Sequence, residues 1–96
     1  MLSLEGKVAV VTGGGGSGIG HGISLVLARQ GARVAIFEID IDSAEEARGR
    51  IKAEGGSATV VRADVSRSDN VRRAIDMVVD EHEHLDILVN NAGIGL

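Results

Sequence analysis

The chain has no cysteine, no proline, no tyrosine and no tryptophan, and Phe37 is its one phenylalanine. Without cysteine there is no disulfide, no thiolate metal ligand and no thiol nucleophile. Without tyrosine, a reaction that needs a phenolic acid or base cannot be carried out by these 96 residues alone. No apolar run approaches the roughly 18 residues of a membrane span. The opening residues, Met1 to Lys7, have neither the basic nor the apolar region of a secretory signal. The expectation is a soluble, cytoplasmic protein with no membrane partner. The net charge of −4 is spread over interspersed acids and bases, which argues against a basic face for nucleic acid. A chain of 96 residues suggests one small domain, which buries only roughly two-thirds of its unfolded surface. No linker, repeat or low-complexity stretch divides it.

What the chain does hold in quantity is glycine. Seven of its 14 glycines fall between Val10 and Gly22, in the stretch VVTGGGGSGIGHG. That concentration carries a conformational-entropy cost, so it calls for a reason.

The surroundings supply one. Lys7 to Thr12 is a short apolar run rich in β-branched residues and ends at the glycines, the pattern of a buried strand. Gly18 to Gln30 carries Ile19, Ile23, Val26 and Leu27 at helical spacing and is followed by Gly31 at a C-terminal cap position. Arg33 to Glu38 reads as a second strand. A helix capped by Asp40 or Asp42 then runs to about Glu54, where Gly55-Gly56 stops it. Ala58 to Asp64 is a third strand. Ser66 or Ser68 caps a helix to about His82, with Val71, Ile75, Val78, Val79 and His82 on one face, and Leu85 to Asn90 is a fourth strand. The order βαβαβαβ, with strands apolar on both faces, predicts a parallel sheet covered on both sides. Right-handed crossovers then predict strand order 3-2-1-4, a Rossmann-type α/β sheet forming half of a doubly wound fold.

The glycines therefore sit between the first strand and the first helix. A dinucleotide pyrophosphate binds backbone N–H groups at a helix N-terminus, and side chains there would hold it off. Glu38 lies 18 residues beyond Gly20, at the end of the second strand, where the dinucleotide pattern places an acid. Its carboxylate can accept hydrogen bonds from ribose hydroxyls and would repel a 2′-phosphate, which predicts NAD in preference to NADP. A plain glycine turn with no ligand is the bland alternative.

With these pieces the chain resembles the short-chain dehydrogenase/reductase family. The matching residues are Leu4-Glu5-Gly6-Lys7, the stretch from Thr12 to Gly20, Glu38, Asp64-Val65, and Leu85-Asp86-Ile87-Leu88-Val89-Asn90-Asn91-Ala92-Gly93. The resemblance implies that Gly14 or Gly13, Ser17, Gly18, Ile19 and Gly20 hold the pyrophosphate. It implies that Glu38 binds the adenosine ribose, and that Asp64 and Val65 contact the adenine. Asn90, Ala92 and Gly93 would line the floor near the ribose and tie the central strands together. The family pattern TGxxxGxG has three residues inside the loop. Here Thr12-Gly13 and Gly18-Ile19-Gly20 enclose four, so either the loop carries an extra glycine or the pattern starts at Gly14.

The family's catalytic groups, an Asn, a Ser and a Tyr-x-x-x-Lys pair, come after the position matching the last residues here, and none of the seven serines matches. The resemblance thus implies that residues 1–96 form an NAD-binding half-domain of an enzyme that transfers hydride between a nicotinamide and a small alcohol or ketone, inactive alone. A second expectation is a non-catalytic nucleotide-binding module that self-associates through the outer edge of the fourth strand. A methyltransferase using S-adenosylmethionine also combines a glycine loop with a strand-end acid, but the spacing of the glycines and Asn90-Asn91-Ala92-Gly93 stand against it.

Other residues have plainer accounts. His82-Glu83-His84 with Asp80 and Asp86 resembles a metal cluster, but a helix end favours histidine through the helix dipole, so no metal is expected. His21 is either beside a phosphate or a partly exposed first-turn residue. Phe37 packs beside the adenine or under the second helix, and Met77 is expected in or near the core. The arginines Arg62, Arg67, Arg72 and Arg73 alternate with acids and read as solvated.

Overall fold

A computed structural model describes residues 3–13 and 18–91. Four strands, β1 (Val8–Thr12), β2 (Arg33–Glu38), β3 (Ser57–Arg62) and β4 (Ile87–Asn90), alternate with three helices, α1 (Ile19–Arg29), α2 (Ile41–Ala53) and α3 (Ser68–His82). The strands form one parallel sheet in the expected order β3-β2-β1-β4. Alternate residues of each strand enter opposite cores. Ala9, Val11, Val34 and Ile36 pack with Leu25, Ala28, Ala44, Ala47 and Ile51 under α1 and α2. Val8, Val10, Ala35 and Phe37 pack with Ala63, Ala74 and Val78 under α3. Phe37 is thus in the α3 layer rather than under α2, and it is fully buried.

The helical spacing in α1 is correct but its buried face is not the expected one. Ile19 and Val26 are 66% and 55% exposed, while Gly20, Ser24, Leu25 and Ala28 are buried. Gly20, Ser24 and Ala28 recur every four residues, a stripe of small side chains that lets the helix lie close to the sheet. Larger aliphatic residues would hold it away. Met77 is likewise displaced from the expected core: it is 55% exposed, and Ala74 and Val78 take the sheet-facing positions of α3.

Local chemistry sets the ends. Asp40 caps α2, its Oδ1 accepting from the Ser43 N–H at 3.3 Å and its Oδ2 from the Ser43 hydroxyl at 2.8 Å. Those bonds lower the Asp40 carboxyl pKa. Neither Ser66 nor Ser68 caps α3. The N-cap is Arg67 with no side-chain cap bond, because Ser66 is turned onto Asp64 instead. β3 stops at Arg62, whose register partner Glu38 is the last residue of β2; the Ala63 N–H makes the last bond between them, to the Glu38 carbonyl at 3.2 Å. β4 starts at Ile87 rather than Leu85, since Asp86 is occupied in closing the sheet.

Asp86 closes it at both ends of its residue. Its N–H donates to the Val8 carbonyl at 2.9 Å, and its Oδ2 accepts from the Val8 N–H at 2.8 Å. His84 Nδ1 lies 2.6 Å from the same oxygen. Among the described residues no three His, Asp or Glu side chains are grouped as metal ligands. The Val8 N–H, and then His84, hold the Asp86 carboxyl below its ordinary 3.8. A carboxyl whose pKa is lowered by folding stabilises the fold above its unfolded value and loses that contribution as pH falls through the folded value. Replacing Asp86 by Asn should therefore lower the melting temperature at neutral pH. The gap between variant and wild type should close as pH drops below 3.8, as followed by circular dichroism.

Candidate functional site

The carboxyl ends of the strands converge where α1 begins. Gly18, the N-cap of α1, has φ of +86°, a conformation that an L side chain would strain. Two residues on, Gly20 is buried against the end of β1. A Cβ there would collide with the Gly13 carbonyl oxygen and would sit 2.6 Å from Asn91 Nδ2. Gly13 is held in turn by donating its N–H to the Phe37 carbonyl at 2.8 Å. The start of the helix is thereby pressed onto the ends of β1 and β4, with its first N–H groups at the edge of the sheet. This is the close approach that a pyrophosphate-binding turn needs.

Beside it is a small cleft of about 70 Å³ lined by Gly13, Phe37, Glu38, Ile39, Ala63, Asp64 and Val65. Glu38, Asp64, Val65 and Gly13 were all expected at a nucleotide site, and the fold brings them to one place although they come from three separate stretches of the chain. The carboxylates are partly engaged by their own chain. Glu38 Oε1 accepts from the N–H groups of Ile39 at 3.0 Å and Asp40 at 3.3 Å. Asp64 Oδ1 accepts from the Ser66 N–H at 3.0 Å and the Ser66 hydroxyl at 2.6 Å. The Ser66 bonds hold the Asp64 carboxyl below the usual aspartate range. Both acids are thus oriented without help from a ligand.

Asn90 lies on the other side of β1. Its Oδ1 accepts from the Thr12 hydroxyl at 3.1 Å, and Thr12 and Asn90 are register partners, so this side chain ties the central strands together. Ile19 is exposed on the outer side of α1. Gly14, Ser17, Ala92 and Gly93 lie outside the described residues. Two residues at the site had been given no role from the sequence. Asn91 stands against Gly20, and its only signal was its place in Asn90-Asn91-Ala92-Gly93. Ile39 lines the cleft while 54% exposed, and its only signal was that it follows Glu38. A larger cavity of about 500 Å³ opens between α3 and β4, floored by Val71, Ile75 and Leu88. It exists because β4 has a single neighbour and nothing described covers its α3 side.

A four-stranded parallel α/β sheet with a glycine-opened helix at its carboxyl edge belongs to the Rossmann-type nucleotide-binding class. A model of the short chain dehydrogenase family matches residues 7–96, and the chain belongs to this family of nicotinamide-dinucleotide oxidoreductases. It is 49% identical over 92 residues to the sex determination protein tasselseed-2 of Zea mays, covering 95% of this chain and 26% of that one. It is 43% identical over 94 residues to the short-chain dehydrogenase/reductase homolog YusS of Bacillus subtilis (strain 168), covering 97% and 85%. Among solved structures, a metagenomic short-chain oxidoreductase in complex with NADP is 41% identical, with a TM-score of 0.91 and coverage of 97% and 42%. The chain therefore spans about a quarter of tasselseed-2, two-fifths of the metagenomic oxidoreductase and most of YusS.

The Gly20 contact has a direct test. Gly20→Ala should destabilise the fold by about 3 kcal/mol, the upper range for forcing a methyl into a packed site. Gly22→Ala is the control, since nothing lies within 4 Å of its added Cβ and alanine favours a helix. It should be neutral or slightly stabilising. Urea unfolding of both variants measures the difference.

Proposed function

We propose that this chain is the NAD-binding part of a short-chain alcohol dehydrogenase or ketone reductase. The observation that carries the reading is the pairing of the Gly13–Gly20 contact with Glu38 beside it. A bound nicotinamide supplies or accepts a hydride. The chain's own residues bind and orient. The first N–H groups of α1 bind the pyrophosphate, a role this reading extends to Gly14 and Ser17. Glu38, through the Oε2 left over from its bonds to Ile39 and Asp40, accepts from the adenosine ribose. Asp64 and Val65 border the adenine, and Asn90, Ala92 and Gly93 support the ribose side. No tyrosine is available, so the proton-transfer group of the reaction comes from other polypeptide, and these residues alone turn over no alcohol. A cytoplasmic location goes with this reading.

A second reading keeps the nucleotide site without catalysis, in a chain that pairs with a copy of itself through β4. The match to YusS, of which this chain covers 85%, favours it, as does Leu88, 54% exposed on that edge strand.

The first reading expects calorimetric titration to give NAD an affinity at least about tenfold higher than NADP, the order expected for like charges brought close at a partly exposed site. Glu38→Gln should narrow that gap, and S-adenosylmethionine should not bind. Equal affinities for NAD and NADP would sink the assignment of Glu38. Sedimentation separates the second reading, which expects a dimer and loses support from a stable monomer.

A further inference from the structure

Among the described residues, Glu83 is the one non-glycine residue with positive φ, at +71°, where it ends α3. An L side chain in that left-handed region is strained, and such strain persists only where the surrounding structure holds it. A little further on, Asp86 makes two bonds with Val8 that begin the β1–β4 pairing, one from its N–H and one to its carboxylate. His84, between the two in sequence, lies against the same carboxylate oxygen. A strained turn is thus followed at once by a clasp. Little else fastens the strand beyond it. β4 pairs with β1 over four residues, whereas the other edge strand, β3, pairs with β2 over six and is covered by α2. No residue of β4 is fully buried: Ile87 and Val89 are half-buried, and Leu88 and Asn90 are exposed. The α3 layer is filled by Val8, Val10, Ala35, Phe37, Ala63, Ala74 and Val78, with Leu85 only partly buried against it. Local opening is drawn from elements with few buried apolar contacts.

We propose that Glu83 to Asn90 forms a strap that swings off β1 as one unit, hinged at Glu83 and clasped by Asp86, while β1, β2, β3 and the helices stay folded. Opening relieves the backbone at Glu83 and breaks the bonds of Asp86 to Val8, so these two residues set the equilibrium in opposite directions. The open strap uncovers the edge of β1 and parts Asn90 from the Thr12 hydroxyl. The clasp at the amino end of β4 thereby controls a side chain at the carboxyl edge of the sheet. The strap stands on the fold alone and does not depend on which ligand that edge binds.

Native-state hydrogen exchange of the whole chain, read by NMR, tests this. In the wild type, the amides of Asp86 and of the β4 residues that donate to β1 should exchange as one set. Their protection should be at least about tenfold below that of the β2 amides, with little dependence on denaturant. Ile51→Val, buried under α2 beside Gly56 and away from the strap, should lower β2 protection about fivefold and leave β4 protection unchanged. Asp86→Asn should lower β4 protection about tenfold through loss of a charge-assisted hydrogen bond. Glu83→Gly should raise it about fivefold, since glycine takes the left-handed conformation without strain. Equal protection of β4 and β2, with the same response to Ile51→Val, overturns the strap, because β4 would then open only with the whole fold. Unchanged β4 protection in Glu83→Gly overturns the hinge. Both of these variants keep the clasp, so they decide the question even where Asp86→Asn does not fold.

Discussion

The contact on which the rest depends is the one between Gly20 and the end of β1. With no Cβ at that position, α1 settles against the Gly13 carbonyl and Asn91. Ser24 and Ala28 continue the approach along the helix. The helix axis is thereby fixed over the sheet, and its amino end opens at the carboxyl edge of the strands. In a parallel sheet that edge is where loops converge, so the same contact that packs the domain also sets out the donors for a ligand.

The acids around this edge are prepared before any ligand arrives. Glu38 is held by the two N–H groups that follow it, and Asp64 by Ser66. Each interaction serves the fold first: one turns the chain from β2 toward α2, the other turns it from β3 toward α3. A carboxylate restrained in this way loses little further freedom on meeting a sugar or a base. The site is built from turns that the topology required in any case.

The uncovered surfaces also follow from topology. β4 has one neighbour, so Leu88 is exposed on the α3 side. On the opposite face Ile19 and Val26 are exposed along α1, because the small residues took the sheet-facing stripe. Besides these, Met77 and Val79 of α3 and Ile39 after β2 are exposed, so the apolar surface among the described residues is spread over both helix layers and the edge strand.

Strand order and element number were legible in the sequence, because alternation of apolar runs with helical spacing leaves few parallel topologies. That Glu38 ends β2 was legible too, since an acid closing an apolar run is a local signal; its meeting with Asp64 in one cleft came from the fold. The orientation of α1 was not: periodicity marks both its large aliphatic stripe and its small-residue stripe, and only the clearance above the sheet decides which one packs. Nor were the roles of Asn91, Ile39 and Ser66, whose neighbours come from other strands or turns. Local order follows from side chains adjacent along the chain, whereas the pairing of Gly20 with Gly13 and Asn91, and the choice of buried face, arise only when helix and sheet compete for the same space.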